Sequence, residues 1–119
     1  MAGVATKHEW LIILPDHDDA LERRLKVRPE HLQNIKPKVD SDIVTFGGAI
    51  LEDVPKEGEG LRMNGSVMLV NAASRDEAIG VLKDDVYFKN RVWDWDKLCA
   101  ASVDPAEHCS AARNTAQGV

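Results

Sequence analysis

The sequence has few of the features that define nucleic-acid binders, membrane proteins and disulfide-stabilised proteins. Its 119 residues carry 15 basic and 20 acidic side chains and a net charge of -5, which argues against the basic patch of a nucleic-acid-binding domain. No apolar run approaches the roughly 20 residues that span a bilayer, and the N-terminal segment lacks a signal-peptide pattern. The two cysteines, Cys99 and Cys109, match no zinc or redox spacing. We therefore expect a cytoplasmic protein with no nucleic-acid or membrane partner.

The pattern of apolar residues predicts the order strand, helix, strand, strand, helix, strand. The strands are predicted at residues 8–14, 43–51, 66–70 and 92–103. One helix is predicted at residues 29–40, because Pro29 suits a first helical position, with a kink or early stop at Pro37. The other is predicted from a capping box at Ser74 and Glu77 to residue 83.

Shorter segments complete this prediction. Leu21, Leu25 and Leu32 carry apolar groups through a charged stretch, a spacing that indicates helix. Residues 16–19 (DHDD) are a predicted solvated turn, and residues 84–89 a tight turn or short helix. The segment 52–63, with one proline, two glycines and four acidic residues, is a predicted loop that covers a pocket.

The element order is that of the ferredoxin-like βαββαβ fold, which belongs to the α+β class. In this fold both helices pack on one face of a four-stranded antiparallel sheet, and the other face is left bare and apolar. Because a bare apolar face of this size favours a partner, we expect a homodimer in which the sheet faces pack together. The length fits one domain, assigned to residues 1–103, with a tail at residues 104–119 that we expect to be flexible.

Several short motifs, taken in order, resemble the YCII-related (YciI-like) domain family. They are Leu25–Leu32 (LKVRPEHL), Gly48, Gly65–Ser66 and Asp85–Tyr87 (DVY). The resemblance covers about residues 8–103 and implies a dimeric α+β barrel, a His–Asp pair in a pocket, and no metal or organic cofactor. One relative is a dehydrochlorinase of a chlorinated hydroquinone, and other small proteins on this barrel isomerise lactones or modify polyketides. Val86 departs from the family pattern, which has proline there.

The resemblance identifies His31 and Asp85 as the catalytic pair. As the third residue of a helix that begins at Pro29, His31 would lie near the positive end of the helix dipole, which favours a neutral ring that accepts protons. Asp85 would orient the ring and stabilise its cation, although the sequence leaves Asp84 open as the partner. The pair could serve elimination, dehydration or isomerisation. The alternative is a partly buried structural histidine.

Arg28 and Ser66 are candidates for binding substrate oxygens. The planar donor fork of Arg28 suits an anionic or phenolate group, and its alternative is a surface ion pair with Glu30 or Asp85. Ser66 could donate a hydrogen bond to a substrate carbonyl, and its alternative is an ordinary serine at a strand end. No nucleophile-elbow pattern surrounds it, so we do not expect a covalent enzyme.

Gly48, Tyr87 and Trp93 are further candidates for substrate binding. Gly48 would let the backbone approach a ligand, or it would simply belong to a bulge. Tyr87 and Trp93 would line an apolar pocket for a flat ring, or they would belong to the core or the dimer interface. The histidines His8, His17 and His108 are scattered, so we expect no metal site.

The sequence thus favours a cofactor-independent lyase or isomerase that acts on a small cyclic or aromatic metabolite. A role as a tailoring enzyme of secondary metabolism follows only by analogy with other proteins on this fold. The alternative is a dimeric small-molecule-binding or accessory protein that keeps the pocket without turnover.

Overall fold

Four antiparallel strands form the sheet of the structure, a computed structural model that describes residues 6–104. The strands are β1 (His8–Pro15), β2 (Val44–Leu51), β3 (Met63–Ala72) and β4 (Cys99–Val103), in the spatial order β2-β3-β1-β4. The connecting helices are α1 (Leu21–Asp40), α2 (Arg75–Leu82) and α3 (Val86–Lys89). This order confirms the predicted ferredoxin-like α+β fold.

The two faces of the sheet differ because side chains alternate along each strand. On one face Ile12 pairs with Met68, and both belong with Val70 to the buried core that includes helix residues. On the other face Ile13 pairs with Val67, and Ile13 is 36% exposed. The face away from the helices is therefore apolar and is not covered by residues 6–104.

Helix α1 begins at Leu21, eight residues before the predicted start at Pro29, so that prediction is wrong. Pro29 and Pro37 both lie inside the helix, although a proline in a helix interior removes a hydrogen bond and costs about 3 kcal/mol. The inward face of α1 offsets this cost, since Val27 and Ile35 pack against the core. Tertiary packing thus decides where this helix begins and ends.

The earlier start moves His31 away from the helix N-terminus. It is the eleventh residue of α1 rather than the third, and the influence of a helix terminus falls off within its first turn. The prediction that the dipole favours the neutral ring is therefore wrong. His31 owes its place to its side of the helix, because it follows Arg24 by seven residues, about two turns.

Strand β4 begins at Cys99, seven residues after the predicted start at Val92. Val92 and Trp93 are both buried, so consecutive side chains do not point alternately to two different faces as in a regular strand. A 3-10 turn follows at residues 95–97, where the Asp94 carboxylate accepts a hydrogen bond from the backbone N–H of Asp96. The predicted strand 92–103 is therefore wrong over its first half.

The other elements lie close to prediction. The Ser74 hydroxyl caps α2 by accepting from the Glu77 N–H at 3.1 Å, and the Glu77 carboxylate accepts from the Ala73 N–H, which confirms the capping box. β3 extends beyond the predicted 66–70 at both ends. In β2 the bulge predicted at the glycines is wrong, because Gly47 and Gly48 pair in regular register with Met68 and Val67, and the register shifts lie at Val44–Phe46 and Ile50–Leu51.

The predicted tail at residues 104–119 lies outside the described residues apart from Asp104, and so does Cys109. Cys99 is an exposed free thiol. Over residues 6–104, no helix combines the length and the apolar composition needed to cross a bilayer.

Candidate active site

A cavity of about 360 Å³ lies between α1, β2 and the middle of β3. This volume is within the range of small-molecule sites. One part of its wall is apolar and includes Ile35, Val44 and Met68. The other part carries the polar side chains that the fold brings together, which are Arg24, Arg28, His31, Ser66 and Tyr87.

His31 and Asp85 meet at this wall. The Nδ1 atom of His31 lies 2.7 and 2.9 Å from the two carboxylate oxygens of Asp85. The side chain of Asp85 is 2% exposed and that of His31 is 14% exposed. Asp84, the other acid that the sequence left open, is exposed. Because a carboxylate only accepts hydrogen bonds, Nδ1 carries the proton and Nε2 is the nitrogen left for a ligand.

Helix α3 holds Asp85 in this position. Asp85 is the N-cap residue of α3, and its Oδ1 accepts a hydrogen bond from the Tyr87 N–H at 2.8 Å. One carboxylate therefore caps a short helix and orients an imidazole 54 residues away in sequence. Capping of this kind stabilises a helix start by about 1 kcal/mol.

Tyr87 stands between His31 and Arg24. Its ring stacks on the imidazole with centroids 4.0 Å apart and an angle of 16°, and the Arg24 Cζ lies 4.5 Å from its centroid. His31 and Arg24 are two helical turns apart, about 10 Å, so these contacts fit a phenol ring inserted between them. Burial raises the pKa of the Tyr87 hydroxyl above 10.0, against the opposing charges of Arg24 and Arg28.

The sequence analysis did not find the buried pair Asp16–Arg24. Nη1 of Arg24 donates to both carboxylate oxygens of Asp16, at 2.9 and 3.0 Å, and these side chains are 3% and 2% exposed. Burial raises the pKa of Asp16, although the charge and hydrogen bonds of Arg24 oppose the shift. The prediction of a solvated turn at 16–19 is wrong for Asp16, while Asp18 and Asp19 are exposed.

Ser66 joins this pair to the cavity. Its Oγ accepts hydrogen bonds from Arg24 Nη2 at 2.8 Å and from the Trp93 indole N–H at 3.0 Å. Trp93 is 2% exposed and lies behind Ser66, so it supports the cavity wall without lining it. Gly65 allows β1 and β3 to approach here, because a Cβ at this residue would lie 2.9 Å from the Leu14 carbonyl oxygen.

Arg28 and Gly48 also line the cavity. Arg28 is half-buried, and among residues 6–104 no carboxylate lies within ion-pair distance of it, neither Glu30 nor Asp85. Its guanidinium is thus available to an anionic ligand. A Cβ at Gly48 would meet nothing within 4 Å, so the cavity shape does not require glycine there. In the described part of the chain, no three side chains of metal-ligating type are grouped.

Fold and cavity together define a ferredoxin-like α+β protein with a pocket of small-molecule size whose wall is partly apolar and partly polar. The chain belongs to the YCII-related domain family, whose profile matches residues 9–95. This match confirms the family resemblance of the short motifs.

Two relatives are named for biosynthetic pathways. Aspercryptin biosynthesis cluster protein B of Emericella nidulans is 39% identical over 93 residues, which are 77% of this chain and 60% of that protein. Fusaric acid biosynthesis protein 2 of Gibberella fujikuroi is 34% identical over 90 residues, 76% of this chain and 86% of that protein. The chain thus spans less than two thirds of the first relative's length.

A solved structure has the same fold. It is the 5-chloro-2-hydroxyhydroquinone dehydrochlorinase of Burkholderia phenoliruptrix in complex with 2,5-dihydroxybenzoquinone. The TM-score is 0.69 over 87% of this chain and 97% of that chain, and the sequence identity is 20%. At this identity the likeness shows the shared fold.

Proposed function

We propose that the protein is a cofactor-independent lyase or isomerase that acts on a small cyclic or aromatic metabolite. The observation that carries the proposal is the contact of His31 Nδ1 with both carboxylate oxygens of the buried Asp85, at 2.7 and 2.9 Å, on the wall of the cavity. A histidine oriented in this way by a carboxylate is suited to general acid–base catalysis.

His31 would move a proton through Nε2. In the first step Nε2 takes a proton from a substrate carbon next to a carbonyl group, and the Asp85 carboxylate stabilises the imidazolium that forms. In an isomerisation His31 returns the proton to another substrate atom. In an elimination the electron pair expels a leaving group instead, and the imidazolium keeps the proton until it is released. Each route balances without a metal or an organic cofactor.

Arg28 and Ser66 would bind the oxygen on which negative charge develops. Arg28 has no carboxylate partner among residues 6–104 and faces the cavity, so its charge is available to an enolate or phenolate. Tyr87 does not offer a ring face to a substrate, because His31 stacks on its ring at 4.0 Å and the Arg24 guanidinium lies over the same ring. Its hydroxyl is protonated at neutral pH, as an ordinary phenol is, and burial raises its pKa further. It therefore does not compete with His31 as the base.

The names of the relatives support a place in secondary metabolism. Two of them are proteins of aspercryptin and fusaric acid biosynthesis, and the structural neighbour carries out a dehydrochlorination and binds a hydroxylated quinone. A tailoring step on a cyclic intermediate agrees with these names and with a pocket of about 360 Å³. The cytoplasmic location stays a prediction.

Hydrogen–deuterium exchange at carbon tests this proposal without knowledge of the natural substrate. Hydroxylated quinones and cyclic enones, beginning with 2,5-dihydroxybenzoquinone, are incubated with the protein in D2O, and exchange at C–H is followed by NMR. His31→Ala should slow the catalysed exchange by about 10²–10⁴-fold. His17→Ala is the matched control, since the His17 side chain is 41% exposed and does not line the cavity.

The same experiment separates the enzyme from a binding protein. If calorimetry shows that a compound binds to wild type and to His31→Ala alike, and wild type does not accelerate its exchange, the acid–base proposal is wrong. The protein would then be the non-catalytic small-molecule binder that the sequence left open. Asp85→Asn should reduce exchange less than His31→Ala, because the imidazole itself remains.

We also propose that the protein forms a homodimer through its bare sheet face. On this face Ile13 of β1 pairs with Val67 and is 36% exposed. Phe46 of β2, on the other side of β3, pairs with Leu69 and is 55% exposed, and it also lines the cavity. Analytical ultracentrifugation should give a dimer for wild type and a monomer for Ile13→Glu. Leu25→Glu, on the outer side of α1 and 51% exposed, is the control that should stay dimeric. A monomeric wild type would contradict this assembly.

A further inference from the structure

Ser66 occupies a special position on the cavity wall. It lies in β3, where it pairs with Leu14 of β1 and with Ala49 of β2. The residue is 3% exposed, yet it contributes to the lining of the cavity. A buried hydroxyl at such a place can be a donor or an acceptor towards a ligand, and its neighbours decide which.

The neighbours of Ser66 use its two acceptor positions. A hydroxyl has one hydrogen to donate and two lone pairs that accept. Arg24 Nη2 at 2.8 Å and Trp93 Nε1 at 3.0 Å both point hydrogens at Oγ, and neither group can act as an acceptor. Both lone pairs are thus engaged, and among residues 6–104 no acceptor receives the hydroxyl hydrogen.

Arg24 and Trp93 are themselves held in place. Two hydrogen bonds join Arg24 to Asp16, and its guanidinium lies over the Tyr87 ring. The Trp93 indole and the same ring form a T-shaped contact, with centroids 5.6 Å apart and an angle of 74°. Neither donor can turn away from Ser66 without loss of these buried contacts, so the direction of the hydroxyl is fixed.

We propose that Ser66 is a donor of fixed direction that selects ligands with an acceptor oxygen, such as a ring carbonyl, an enolate or a phenolate. The hydrogen bond from the charged Arg24 draws electron density from Oγ and makes its O–H a stronger donor. The unpaired cation of Arg28 on the same wall favours the anionic forms. The inference rests on the proposed function only in taking this cavity as the substrate site.

Neutron diffraction of deuterated crystals tests the direction of the hydroxyl in the protein without a ligand. We expect the deuterium on Ser66 Oγ to point into the cavity, with the Arg24 and Trp93 deuterium atoms pointing at Oγ. A Ser66 deuterium directed at a protein acceptor, such as a backbone carbonyl or Asp16, would overturn the proposal. This experiment does not depend on a variant that folds.

A matched pair of probes tests the selection. Acetophenone and α-methylstyrene have the same shape and differ in a carbonyl oxygen against a CH2 group. Wild type should bind acetophenone about 3- to 10-fold more tightly, the value of one net hydrogen bond, after correction for the difference in their partition from water. Ser66→Ala should abolish this ratio, and Ser74→Ala, which removes a hydroxyl from the α2 cap, should keep it.

Trp93→Phe provides a second variant that keeps an aromatic ring in the core. It frees one lone pair of Ser66, so the hydroxyl can rotate and the ratio should fall towards that of Ser66→Ala. Equal binding of the two probes to wild type, or a ratio that survives Ser66→Ala, would contradict the proposal. A wild type that shows the ratio but no carbon exchange would leave this inference standing while the proposed acid–base function fails.

Discussion

Two pairs of a basic side chain and a carboxylate lie on opposite sides of the Tyr87 ring, His31–Asp85 and Arg24–Asp16, and they differ in whether they can exchange protons near neutral pH. In His31–Asp85 the imidazole side chain is 14% exposed, whereas in Arg24–Asp16 the guanidinium is 3% exposed. An imidazole gains and loses protons near neutral pH, and a guanidinium stays charged. The cavity thus combines one pair that can transfer protons, His31–Asp85, with one pair whose cation is permanently charged, Arg24–Asp16, which we call the fixed frame. Either pair can be removed by mutation while the other is kept.

The largest stability effect should come from the fixed frame. Arg24→Met leaves the Asp16 carboxylate buried without its partner, and we expect a loss of about 3–5 kcal/mol in the free energy of unfolding, measured in urea. Arg23→Met is the matched control, because the Arg23 side chain is 38% exposed and its ion pair with Asp19 is 3.5 Å long. It should cost about 1 kcal/mol or less. Similar losses in both variants would show that the buried pair Arg24–Asp16 contributes no more to stability than the exposed pair Arg23–Asp19.

Replacing both members of the frame should cost less than replacing one. Asp16→Leu with Arg24→Met removes the unpaired charge along with its partner, and apolar replacements of buried ion pairs are often close to neutral. We expect the double variant to be about 1–3 kcal/mol more stable than Arg24→Met alone, measured in the same urea series. A double variant with the sum of the two single losses would mean that Asp16 and Arg24 act independently.

Tyr87 reports on the space between the two pairs. It is the only tyrosine of the sequence, so near-ultraviolet tyrosinate absorbance titrates this one group. Burial raises its folded-state pKa above 10.0, whereas the chain unfolded in urea should titrate near the ordinary value. A folded midpoint at or below that of the unfolded chain would contradict the buried position of the phenol.

The raised pKa of Tyr87 makes the free energy of unfolding depend on pH, with a sign that proton linkage fixes. Because the folded state holds the phenolic proton more tightly, this contribution is fully present below pH 10 and is lost as the pH rises through the raised pKa. Wild type should therefore lose more stability than Tyr87→Phe over that interval. We expect a smaller loss of stability than for Arg24→Met, since it depends only on the difference between the folded-state and the unfolded-state pKa of Tyr87.

The fold could be predicted from the sequence further than the site could. Alternation and the capping box at Ser74 are local signals, and they gave the element order correctly. His31 and Asp85 came from the family resemblance. The pair Asp16–Arg24 carries no local signal, because a turn and the start of a helix must fold before these residues meet. Arg24 lies on the inward side of α1, where a pattern based on apolar residues does not look for charge.

Helix α1 illustrates the limit of periodicity. The leucines that indicated a helix, Leu25 and Leu32, are 51% and 50% exposed. Leu32 lines the cavity beside His31, whereas Leu25 does not. The leucine spacing predicted the element correctly, but it did not indicate which residues of the helix face the cavity. Pro29 caused the error in the predicted start of α1, because a proline that suits a helix start is also found inside a helix that packing stabilises.

The smallest expected effect concerns Leu25 on the exposed face of α1, compared with a leucine in the core. Leu25→Gln should change the free energy of unfolding by about 0.5 kcal/mol or less, as surface substitutions generally do. Leu82→Ala, at a core leucine that is 1% exposed, should cost about 2–5 kcal/mol. Urea denaturation of the two variants measures both. A loss for Leu25→Gln comparable to that of Leu82→Ala would mean that the outer face of α1 is covered in solution. Since residues 6–104 do not cover Leu25, another part of the assembly would then have to do so, and the dimer would be more extensive than a contact between sheet faces.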